Sequence, residues 1–136
     1  MPIDDAGWHY DTCSEHELDY TCAGTHIGIF LAWLAYHSLT ESDSVDFSPL
    51  LNRSITPGAF LMQHCCGEIS GFLLTAEGLA FGNASYRTYL NVLDRIPEIA
   101  RYPVTYAAPD TWETYDAVAP VISEIYQMYS THRQQV

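Results

Sequence analysis

A thiol and an imidazole four residues apart, Cys22 and His26, stand where a helix begins, and that pairing suits nucleophilic chemistry. A helix N-terminus lowers a thiol pKa, and a nearby imidazole can accept the proton. Such a spacing is common where a turn meets a helix, however, and no residue presents itself to orient the imidazole or hold an oxyanion. His9, Asp11, Cys13 and His16 are ligand types within one short stretch, and Cys13-x-x-His16 has the spacing of half a zinc site. Neither Cys22 nor His64-Cys65-Cys66 supplies the other half at a usual separation, so no metal ligands are assigned and no cofactor is expected. His26 and His37 lie about 16 Å apart along a helix axis, too far to share an ion. With Phe30 and Trp33 they form an aromatic and imidazole stripe at i, i+4, i+7 and i+11, and His26 is expected to be a buried histidine hydrogen-bonded to backbone or to a carboxylate of the N-terminal segment. The carboxylate pairs Asp4-Asp5 and Glu15-x-Glu17 have the chemistry for acid–base work or magnesium, but in a solvated segment they read as charged surface. The sequence has no Gly-rich phosphate loop, no Gly-x-Ser-x-Gly, no His-Glu-x-x-His and no basic stripe, so no catalytic residue is assigned.

The charge distribution is more distinctive than any of these motifs. Seventeen acids face five basic residues, all arginine, for a formal charge of −12 over 136 residues. Residues 1–52 carry nine of the acids and no basic side chain. That field repels nucleic acid and anionic membranes, and it accelerates encounter with a basic protein. The N-terminus has neither a basic nor an apolar leader, and the longest apolar run, Ile27 to Tyr36, is about half the ~20 residues that cross a bilayer, so a cytoplasmic location with reduced thiols is expected.

The elements that must position these residues are mainly α-helical. The length suits a single domain over residues 1–136, and a 48% hydrophobic content supports a compact core. Residues 1–21 show no lasting period and are expected to form an extended, acidic, aromatic arm, pinned by its rings to a helical body over 22–136. Ile27, Phe30, Leu31 and Leu34 follow the spacing of one helical face, with Gly28 marking a close approach by a backbone or ring, and that helix ends near His37. Ser48-Pro49 and Pro57-Gly58 open two more helices, the second stopping by Gly67. Asn83 to Leu93 and Trp112 to Arg133 read as helices, while 71–74 suits a short strand or a helical turn and 103–106 a β-rich connector. At most a small β element is expected.

Trp8-His9-Tyr10, Thr25-His26-Ile27-Gly28-x-Phe30-Leu31-x-Trp33, Phe81-x-Asn83-Ala84-x-Tyr86 with Tyr89-Leu90, and Asp110-Thr111-Trp112-Glu113-x-Tyr115-Asp116 with Ala119-Pro120-Val121-Ile122 together resemble a family of uncharacterised bacterial single-domain proteins. The resemblance implies a bacterial cytoplasmic protein without an assigned activity, and small acidic families of this kind look like immunity proteins of toxin systems. The expected function is therefore non-catalytic binding of a basic protein, a toxin encoded nearby, whose active site the chain covers. The residues expected to dock are Asp4, Asp5, Trp8, His9, Tyr10, Asp11, Glu15, Glu17, Asp19 and Tyr20. Cys22, His26, Trp33 and His37 are expected to be structural, or else to form an alternative site in which His9, Cys22 and His26 serve a small hydrolase or metal-dependent enzyme. A homodimer is compatible with the tyrosines of the later helices.

Overall fold

The computed structural model describes residues 2–135, with side chains as far as Arg133. Two aspartates organise the N-terminal segment. The Asp5 carboxylate accepts from the Gly7 N–H at 2.8 Å and caps a 3-10 turn over Ala6–His9, which runs into α1, Tyr10–Glu15. Glu17, at φ 58°, turns the chain, and Asp19 caps a second 3-10 turn over Tyr20–Gly24 that leads directly into α2, Thr25–Tyr36. The expected extended arm is thus a run of short helical turns, because Asp5 and Asp19 satisfy N–H groups that an extended strand would have left to a sheet partner.

The segment is tied down as well as folded. Ile3 N–H donates to Ile69 O at 2.9 Å, Ile69 N–H to Asp4 O at 3.1 Å, and Ala6 N–H to Gly67 O at 2.8 Å. This isolated bridge and another between Thr40 and Leu74 are the β pairings among the described residues, which contain no strand.

Around this run come α3, Ser48–Leu51; α4, Pro57–His64; α5, Ala76–Leu93; α6, Pro97–Ala100; and α7, Trp112–Gln135. Every residue of α2 from Thr25 to Ala35 is buried, the polar Thr25 and His26 included, so the helix is enclosed well beyond the one face that its apolar spacing marks. It packs against α4 on one flank and α7 on another, and α5 also packs on α7. Gly28 permits the α2–α4 contact, since a Cβ there would overlap the Pro57 carbonyl. On the α5 side, Phe30 of α2 packs against Phe81, Tyr86 and Tyr89 of α5.

The start of α4 is capped from a distance. Asp110 accepts from the Thr56 hydroxyl at 2.6 Å and from the N–H groups of Gly58 and Ala59 at 2.8 and 3.0 Å, which pins the connector before α7 against α4. Helix α5 begins at Ala76, ahead of the expected Asn83, because the Thr75 hydroxyl accepts from the Gly78 N–H and caps an earlier turn. Gly71–Leu73 forms a 3-10 turn, and the connector expected to be β-rich holds another over Thr105–Ala107. No helix among the described residues is long and apolar enough to cross a membrane.

Candidate functional site

The folded N-terminal segment carries Asp4 into the interior, where it is 3% exposed. An ionised carboxylate has about four acceptor positions, and here four donors meet it. Oδ1 accepts from the Asp5 N–H at 2.8 Å and from His9 Nε2 at 2.7 Å, and Oδ2 accepts from the Tyr86 hydroxyl at 2.6 Å and from His26 Nε2 at 3.2 Å. Four parts of the chain converge: the bridge to Ile69 fixes Asp4, the first 3-10 turn presents His9, the first turn of α2 presents His26, and the middle of α5 presents Tyr86. The two imidazoles stand edge to face with centroids 4.8 Å apart. Tyr89, from the next turn of α5, donates to the His26 carbonyl at 2.7 Å and fixes the start of α2.

Burial alone would push the Asp4 pKa up, but hydrogen bonds from His26, His9 and Tyr86 outweigh it and hold the carboxyl well below the usual carboxylate range. Burial lowers the His26 pKa by more than Asp4 raises it, so the ring stays neutral. Tyr86 is pushed well up, by burial first and then by the Asp4 charge, which keeps its hydroxyl a donor.

The outer nitrogens of the two rings differ. His9 Nδ1 lies 2.5 Å from the Tyr106 hydroxyl. His26 Nδ1 is buried and has no hydrogen-bond partner. Both rings and Tyr106 line a cleft of about 540 Å³ whose remaining wall includes Leu90, Leu93 and Ile99. That volume falls within the range of small-molecule sites.

The other expected site residues fall into separate places. Trp8, Tyr10 and Tyr20 are exposed, at 55%, 38% and 59%, and so are Asp11, Glu15, Glu17 and Asp19. Tyr10 and Tyr20 meet edge to face at 5.7 Å on the rim of a second groove of about 700 Å³, which Met62, Cys66 and Pro109 also line. Asp4 does not belong to this surface, because its carboxylate is consumed inside. Asp5 and His9 are only partly accessible, the first as a cap and the second as a partner of Asp4.

Cys22 lines the second groove while His26 lines the first cleft. Burial first, and then the Asp19 charge, raise the Cys22 pKa, the opposite of an activated thiol. All four cysteines are unpaired thiols, and the half zinc motif does not close: Cys13 is buried while His16 is exposed. Trp33 is buried and donates to Ser123 Oγ at 3.0 Å, and His37 stacks on it at 3.8 Å while bonding to the Trp33 carbonyl.

The expectation that His26 bonds to an N-terminal carboxylate matches what is seen, with Asp4 as the partner. Tyr86 and Tyr106 were not singled out for the site. Their hydroxyls lie 82 and 97 residues from the groups they meet, and no local spacing signals that.

No curated protein and no solved structure matches the chain at a significant level. A family match covers residues 2–107, a span that holds Asp4, His9, His26, Tyr86 and Tyr106 and ends before α7. On that match the chain belongs to the family described as Domain of unknown function (DUF7832).

Proposed function

We propose that the chain is a non-catalytic binding protein of the immunity or antitoxin kind, whose N-terminal face covers the active site of a basic protein encoded nearby. The observation that carries this reading is the exposure of Trp8, Tyr10 and Tyr20 within one acidic segment, where elsewhere in the described residues Tyr36 and Phe72 are the large hydrophobic rings exposed to a like degree. Exposed large rings amid like charge make poor surface and good anchors, since interface hot spots are aromatic groups ringed by polar ones. The surrounding charge selects the partner's sign. Asp11, Glu15, Glu17 and Asp19 flank the rings, and the arginine–carboxylate pairs among the described residues, Arg53 with Asp116 and Arg133 with Glu77, use none of the acids of residues 1–52. Asp11, Glu15 and Glu17 therefore face a cationic surface with no arginine of the chain competing for them, and Asp19 adds its charge while capping the turn that carries Tyr20.

The test is coexpression with the basic product of the adjacent gene, followed by calorimetry at two salt concentrations. A one-to-one complex is expected, weakening about tenfold or more between about 50 and 300 mM salt as exposed charges are screened. A Trp8→Ala, Tyr20→Ala double variant should lose a further thirtyfold or so, about 2 kcal/mol or more. Binding that ignores both salt and the double substitution would contradict the proposal, as would a soluble basic neighbour that does not bind.

A further inference from the structure

We propose that Asp4, His9 and His26 form a binding site for one divalent first-row transition-metal ion, open to the cleft beside Tyr106. One ligand atom from each residue lies within 4.8 Å of the others, and Asp4 and His26 are almost fully buried. Two imidazoles and one carboxylate make a donor set suited to zinc or iron(II) and poorly suited to calcium or magnesium. Three protein ligands also leave at least one coordination position unfilled, the pattern of sites where a metal meets a small molecule rather than only holding a fold.

Metal binding re-sites the ring protons. In the metal-free cluster Nε2 of each ring donates to Asp4. A metal takes the place of those two protons, and each metal-bound ring carries one proton, on Nδ1. For His9 the relocated proton meets the Tyr106 oxygen 2.5 Å away, the outer hydrogen bond that metal-bound imidazoles usually make. The Asp5 N–H and the Tyr86 hydroxyl go on holding the carboxylate.

His26 Nδ1 is a second, independent observation. A cluster serving only to staple the N-terminal segment would satisfy each of its buried polar atoms, yet this nitrogen has no protein partner and its ring lines the cleft. In the metal-bound tautomer it becomes an N–H donor on the far side of the ring from the metal. A molecule bound in the cleft would reach the metal's open position against a wall of Leu90, Leu93 and Ile99. Sequence spacing hides the site because positions 4, 9 and 26 repeat no short metal motif.

The test titrates the chelator-stripped full chain with cobalt(II), read by visible absorbance, and with zinc(II), read by calorimetry. One equivalent should bind, with no sulfur-to-cobalt charge-transfer band, and His9→Gln and His26→Gln should each lose it. Tyr106→Phe keeps all three ligands and should weaken binding about tenfold to a hundredfold. If the histidine variants fail to fold, nitrogen-15 spectra of the unmodified chain decide: zinc should move the proton of both rings from Nε2 to Nδ1. Absence of saturable binding, binding unchanged in His26→Gln, or binding lost in a Cys13→Ser, Cys22→Ser, Cys66→Ser triple variant would overturn the site. Partner docking is read separately, on Trp8 and Tyr20 in the unmodified cluster.

Discussion

Asp4 accepts from four donors, so substitutions around it differ in how many bonds they break. Asp4→Ala leaves two imidazoles and the Tyr86 hydroxyl facing a void, and it should cost about 3–5 kcal/mol of stability in urea. Tyr86→Phe removes one bond to a charged acceptor and leaves three, so about 1.5–3 kcal/mol is expected. Equal losses would show that Asp4 is not the hub.

The same cluster fixes the sign of the pH response in the metal-free protein. His26 has a folded pKa below its ordinary 6.5, so as pH falls through 6.5 the unfolded chain takes up a proton that the folded chain refuses, and stability declines. Asp4, depressed below 3.8, adds a further loss as pH falls past that value. The neighbours facing His26 are Asp4, His9 and Tyr106. The urea midpoint of the unmodified chain should therefore fall between about pH 7 and 5, and fall less in His26→Gln. A midpoint that rises on acidification would mean that His26 is protonated against Asp4.

At the scale of elements, α2 was legible because its apolar positions keep a helical period, and Pro57 and Gly67 mark the start and stop of α4. Gly28 signals a close approach in the sequence, and the Pro57 carbonyl occupies that space. Gly28→Ala should cost about 1–3 kcal/mol by forcing α2 and α4 apart, despite alanine's better helix propensity. A gain in thermal stability would contradict the contact.

The N-terminal turns were less legible, since their caps depend on Asp5 and Asp19 folding back over two residues amid a polar stretch without period. The early start of α5 is not legible because Gly78 and Gly82 dilute its pattern, yet both fit against neighbours: a Cβ at Gly78 would strike the Leu39 carbonyl, and one at Gly82 the Ile3 side chain. Of the site, the link between His26 and an N-terminal carboxylate could be anticipated from type and position. The convergence of Tyr86 and Tyr106 could not, because it depends on how α5 and the connector before α7 pack.

Across the whole molecule, the N-terminal segment has two sides. Its inward side supplies Asp4 and His9 to a buried cluster, while its exposed groups are Tyr10 and Tyr20 on one groove, Trp8 beside Arg87 and Leu90, and the carboxylates of Asp11, Glu15, Glu17 and Asp19. The inward bonds hold the outward rings on a fixed frame, which spares a docking surface much of the ordering cost of association.

The measurement that tests this most directly is an amide hydrogen-exchange footprint of the chain with and without the proposed basic partner. New protection is expected over residues 8–21 and along the groove beside Met62 and Cys66, with the cleft at Leu93, Ile99 and Tyr106 unchanged. Protection confined to the cleft, with residues 8–21 exchanging as before, would contradict the docking account.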